Sequence, residues 1–202
     1  MLRSLAASLT LAAAGVLGSC VHIPTEKERQ GAEAHYDLGI NAQTNGDVRS
    51  ALKEFEESLK LDPDFADAHN AIAVLLHLSF DKKDEAEKHY KQAIEIRPTF
   101  SEAKVNLGNL YLDQGRLDEA ITLYEQALND MLYATPYIAE TNLGWAYFKK
   151  GNSAQALEHL RAAVTQAPAF CLGYKDLGLV QDARGDLAAA CTEFGRFVQA
   201  CP

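Results

Sequence analysis

The chain is predicted to be all-α, a solenoid of five tandem helix-turn-helix units, and three observations predict it. An aliphatic residue followed by a small one recurs as Leu38-Gly39, Ile72-Ala73, Leu107-Gly108, Leu143-Gly144 and Leu177-Gly178, every 34 to 36 residues. A period of that length belongs to stacked supersecondary units. A glycine stands seven residues after four of these anchors, at Gly46, Gly115, Gly151 and Gly185, and an alanine follows soon after at Ala51, Ala86, Ala120, Ala156 and Ala190. Proline closes four of the units, at Pro63, Pro98, Pro168 and Pro202. The small anchor lets two helices approach, the later glycine takes the backbone out of the first helix, and proline stops the second. The units run 32–65, 66–100, 101–136, 137–170 and 171–202.

Composition narrows the function. With 202 residues, 48% hydrophobic and only six prolines, the chain has ample material for a core and is not a disordered segment. Nineteen Lys and Arg against 28 Asp and Glu give a net charge of −9, a field that repels nucleic-acid phosphates.

The elements follow in order. Residues 1–19 hold Arg3, no acidic residue and an apolar run from Leu5 to Leu17, the layout of a secretory signal and too short for a spanning helix. Leu17-Gly18-Ser19-Cys20 resembles the lipobox of bacterial lipoproteins. That resemblance implies cleavage between Ser19 and Cys20, acylation of Cys20 and, with Val21 rather than Asp next, an outer-membrane anchor facing the periplasm. Residues 20–31 form the linker, although Thr25 and Glu28 fit a capping box that would start a helix near Glu26. The second unit replaces the turn glycine with Asp81-Lys82-Lys83-Asp84, one residue longer. The third lacks a closing proline and adds two residues within 129–136, where Met131, Leu132 and Tyr133 make a kink, a contact loop or an insertion that packs on its own repeat.

Residues 32–202 resemble the tetratricopeptide repeat family. The resemblance implies antiparallel helix pairs in a right-handed superhelix, with a concave partner-binding face lined by each unit's first helix. Mapped onto this chain, that face takes Tyr36 and Ile40 from the first unit, Val74 and Leu78 from the second, and Val105, Asn109 and Leu112 from the third. The fourth gives Ile138, Trp145 and Phe148, and the fifth Leu172 and Leu179. Trp145 and Phe148 either meet a partner's apolar segment or fold back as superhelix core. Tyr36 and Ile40 argue against the carboxylate-clamp mode, which uses Lys and Asn there. The acidic first and third units favour a basic partner.

Three cysteines, Cys171, Cys191 and Cys201, fall in the last unit. Cys171 opens its first helix and Cys201 closes its second, ends that meet in an antiparallel pair. Cys191 and Cys201 lie ~15 Å apart along one helix, beyond the ~7 Å reach of a bridge, so a Cys171–Cys201 disulfide is expected.

Chemistry is sparse. None of the six histidines forms a metal-ligand pair at helical spacing, and His35 and His69 share one repeat position that reads as packing. Asp81, Asp84 and Glu85 alternate with lysines as a solvated turn. No catalytic set, metal site, cofactor site or small-molecule site is expected.

The lipobox, the repeat layout and the stretch from Tyr133 to Gly144 resemble the type IV pilus pilotin lipoproteins of the PilF/PilW/Tgl group. This implies an adaptor that binds secretin subunits and promotes their outer-membrane insertion and multimerisation. The alternative is an envelope scaffold presenting proteases or cell-wall enzymes to their substrates. The fifth unit ends at Pro202 without a capping helix, so its second helix is expected to expose a packing face.

Overall fold

The structure, a computed structural model, describes residues 23–201. The predicted signal segment, its cleavage point at Ser19 and Cys20, the lipid site and Pro202 lie outside those residues. Ten α-helices and no strand occur among the described residues: α1 (Glu26–Thr44), α2 (Val48–Leu61), α3 (Ala66–Leu78), α4 (Lys83–Ile96), α5 (Ser101–Asp113), α6 (Leu117–Leu128), α7 (Pro136–Lys149), α8 (Ser153–Gln166), α9 (Cys171–Ala183) and α10 (Leu187–Ala200). None is long and apolar enough to cross a membrane.

The expected capping box starts α1. Thr25 Oγ1 accepts from the Glu28 N–H at 3.3 Å, and the Thr25 N–H donates to the Glu28 carboxylate at 2.7 Å. The helix therefore begins at Glu26, as the capping box led one to expect, and includes residues 26–31 ahead of the first unit's boundary at residue 32.

Each helix packs chiefly on its partner in the same unit and then on the first helix of the next unit, so the ten helices form an α-solenoid. The anchors behave as expected. A Cβ on Gly108 would lie 2.6 Å from Tyr124 Cε1, because the tyrosine ring of α6 rests on the backbone of α5. The A–B turns use left-handed residues: Gly46, Gly115, Gly151 and Gly185 have φ between 75° and 86°. In the longer turn of the second unit Asp81 takes that role at φ 52°, a position an Asp tolerates better than most side chains.

The core divides. One buried cluster runs from Ala51 and Phe55 through Tyr90, Leu110 and Tyr124 to Leu143 and Ala146 on α7. A second, smaller one comprises Ala156, Leu157, Leu160, Leu177 and Val180, with Tyr147 touching both. In the last unit Cys171 and Cys201 are joined as a disulfide with Cα atoms 5.6 Å apart, while Cys191 is a free, exposed thiol. On α10 only Ala190 is buried, and Leu187 and Val198 are exposed.

Candidate functional site

Between the third and fourth units the two-residue insertion changes the join. After α6 the chain does not meet a proline at the usual place. Instead residues 129–135 loop out, and Pro136 occupies the first turn of α7, where its missing N–H is harmless. The loop is pinned at both ends. Asp130 accepts from the Leu132 N–H at 2.9 Å and from Ser101 Oγ at 2.8 Å, which hold its carboxyl below the usual carboxylate range, and Tyr133 packs against the core. Met131 and Leu132 are left 98% and 92% exposed, so the loop presents an apolar pair on a fixed base.

Behind this loop lies a cavity of about 530 Å³. Glu102, Val105 and Asn109 of α5 form one wall, and Ile138 of α7 with Leu132 and Tyr133 forms the other. Three residues expected on the groove therefore do converge, although Val105 is itself buried, being 3% exposed at the cavity floor. Two carboxylates line the cavity, Asp130 on the loop and the exposed Glu102 of α5. Glu102 also reaches two tyrosines. It adds to the burial that raises the Tyr133 phenol, and it acts with Asp67 on Tyr36, whose phenol burial also raises.

The remaining expected groove residues divide. Ile40, Leu78, Leu172 and Leu179 are exposed. Tyr36 is half-buried between Phe55 and Phe65, at ring separations of 5.5 and 5.2 Å, and Val74 and Leu112 pack on the core. Trp145 and Phe148 pair with each other at 5.2 Å. Both are half-buried: Phe148 packs on the second cluster, and Lys149 Nζ lies 5.5 Å from the Trp145 ring centre. Of the two readings of these rings, Phe148 takes the core one, packing on the second cluster, while Trp145 is half-buried against Phe148.

Sequence reasoning missed the polar seam that ties neighbouring first helices. Asn106 donates to Asn70 at 3.1 Å, and Asn142 donates to Asn109 Oδ1 at 2.8 Å, which also accepts from Tyr124 Oη at 2.8 Å. Buried His77 meets Asp113 at 3.0 Å. Asn109 is therefore a structural acceptor as much as a groove residue. The recurrence of Asn at 106 and 142 was the available signal.

Comparison with known proteins gives the same repeat. Tetratricopeptide repeat patterns match residues 36–99 and 141–202, and a related one matches 100–169. Among curated proteins, the type IV pilus assembly protein PilF of Pseudomonas aeruginosa is 29% identical over 182 residues, spanning 85% of this chain and 71% of PilF. The photosystem I assembly protein Ycf3 of Synechococcus elongatus is 32% identical over 114 residues, 52% of this chain and 66% of Ycf3. Among solved structures, PilW, described as a widely conserved type IV pilus biogenesis factor, superposes with a TM-score of 0.81 at 27% identity, covering 85% of this chain and 78% of PilW.

Proposed function

From a chain that belongs to the tetratricopeptide repeat family and is homologous to PilF and PilW, we propose an outer-membrane lipoprotein adaptor of type IV pilus assembly. In this reading the acyl chains on Cys20 tether the array to the inner leaflet of the outer membrane, facing the periplasm. The groove holds an apolar, basic segment of a secretin subunit until the subunit inserts and multimerises. A tether plus a binding groove raises the local concentration of the cargo at the membrane without any nucleotide.

The observation that carries the proposal is the cavity behind the insertion loop. Its walls are apolar at Val105, Ile138 and Leu132, its charges are the Glu102 and Asp130 carboxylates, and Met131 and Leu132 extend the apolar surface outward. Apolar contact fixes a partner segment and the carboxylates select a basic one.

Crosslinking and capture of the intact lipidated chain tests this. A secretin captured by wild type, with its multimers lost on deletion, supports the adaptor. Glu102→Lys, at an exposed position, is expected to weaken that capture about tenfold, ~1.4 kcal/mol, with no change in melting. Capture of a protease or a peptidoglycan hydrolase in place of a secretin overturns the pilus role in favour of an envelope scaffold.

A further inference from the structure

The joins inside the array show what covers the outer side of a second helix. At each one the first helix of the following unit lies on it: α3 on α2, α5 on α4, α7 on α6 and α9 on α8. The covering helix brings a small residue and, four positions on, an aliphatic one. These are Ala68 with Ile72, Ala103 with Leu107, Ala139 with Leu143 and Gly173 with Leu177, all buried. The covered helix offers a buried Phe55, Tyr90, Tyr124 or Leu160 and, four positions on, a partly buried Leu59, Ile94, Leu128 or Val164. The halves interlock closely, since a Cβ on Gly173 would stand 2.7 Å from Val164 Cγ1. Each end of the array carries one such half uncovered. On α10, Phe194 rests on Gly178 as Tyr124 does on Gly108, yet it stays partly exposed, and Val198 four positions on is 67% exposed. Cys191 beside them is exposed where Ile121 and Leu157 of the third and fourth units are buried. On α1, Ala34 is exposed and Leu38, four positions on, is 55% exposed.

We propose that a second copy of the chain lays its α1 on α10, so that copies join head to tail and the solenoid runs on from one chain into the next. The occupant follows from the internal joins. What an outer second-helix face takes there is a first helix with a small residue and an aliphatic one four positions later, and among the described residues α1 is the first helix that presents this pair uncovered. Charge favours the same arrangement over two first units meeting. Residues 32–65 hold eight carboxylates and three cations, whereas 171–202 hold four and three, so the acidic end is repelled less by the tail of another copy than by its head. α1 departs from the internal first helices at one place. Asn41 stands where Leu75, Leu110, Ala146 and Val180 are buried, and its side chain accepts from Asn45 at 2.7 Å. The join between copies therefore buries less apolar surface than a join within the chain, and it is reversible. Such a contact uses a different patch on each copy, so two chains do not close it and the number joined rises with concentration. The cavity behind the insertion loop belongs to the third and fourth units, away from both ends, and stays open in every copy.

Sedimentation velocity and thiol crosslinking of the full chain test the join. The sedimentation coefficient of wild type is expected to rise with protein concentration. Leu38→Glu and Val198→Glu, both at exposed positions and so without effect on melting, should each hold the chain at the monomer value. Leu38→Cys places a thiol near Cys191 of the next copy, and a short bismaleimide should then give a ladder of linked multimers that adding Cys191→Ser removes. Mixed with wild type, the chain carrying Leu38→Cys and Cys191→Ser should give a linked dimer and nothing longer. Cys191→Ser alone is the blank for linkage through Cys20. Wild type that sediments as a monomer at every concentration overturns the proposal, as does association unchanged in either Glu variant or an absent ladder. Linkage of wild type to itself above the blank sets α10 on α10, and a ladder that survives Cys191→Ser sets α1 on α1; each overturns the head-to-tail join.

Discussion

At the scale of single residues, the glycines give opposite expectations that depend only on their surroundings. Gly108 carries the Tyr124 ring on its backbone, so Gly108→Ala forces the ring out of a fully buried place and should cost ~1–3 kcal/mol. Gly195, within α10, has nothing within 4 Å of an added Cβ, so Gly195→Ala should stabilise by ~0.5–1 kcal/mol through helix propensity. Urea unfolding of the two variants checks both signs. The first role was legible in the sequence because the small anchor recurs once per unit. The partners of His69 and Asn109 were not, since they depend on which residues the A–B hairpin and the next unit place opposite, and no helical spacing encodes that. The facing rings of His69 and His89, with Nδ1 atoms 2.9 Å apart, also set a pH dependence. Burial first, and for His89 the neighbouring His69 second, depress both proton affinities, so the unfolded chain takes up more protons as pH falls below the ordinary histidine value near 6.5. The contribution is complete above ~6.5 and is lost progressively below it as pH approaches the depressed folded values. Melting of His89→Gln should be less sensitive to pH than wild type between ~6.5 and 5.

At the scale of elements, the disulfide is the clearest case. It closes a 30-residue span between the start of α9 and the end of α10, which in the chain-entropy account is worth ~3.6 kcal/mol. Reduction or Cys201→Ser should therefore lower the stability of the last unit by about that amount, measured as faster amide exchange in α9 and α10. Thiol labelling of oxidised protein should find Cys191 reactive and Cys171 protected. Such a pairing was legible because an antiparallel hairpin brings its first and last residues together. The insertion loop was legible as an irregularity but not as a shape: that Asp130 would cap Ser101, bury Tyr133 and leave Met131 and Leu132 outside depends on the register between α5 and α7.

Across the whole molecule, contacts join only neighbouring units, so stability is a chain of local terms and not one global sum. The break between the two buried clusters falls at the fourth unit, beside Trp145, the one tryptophan. Unfolding followed by Trp145 fluorescence should therefore precede the loss of helical circular dichroism, and coincident transitions would show that the break carries no energetic weight. The repeat count and the direction of stacking were plain from the period. The division of the core was not, because the same aliphatic and alanine pattern runs through both parts. The joined ends of the last unit have one more consequence. The turn between α9 and α10 is exposed at Arg184 and Gly185, where trypsin can cut. Because Cys171 and Cys201 lie on opposite sides of that cut, the two pieces travel as one band until a reductant is added, so a nicked array keeps its last unit in place.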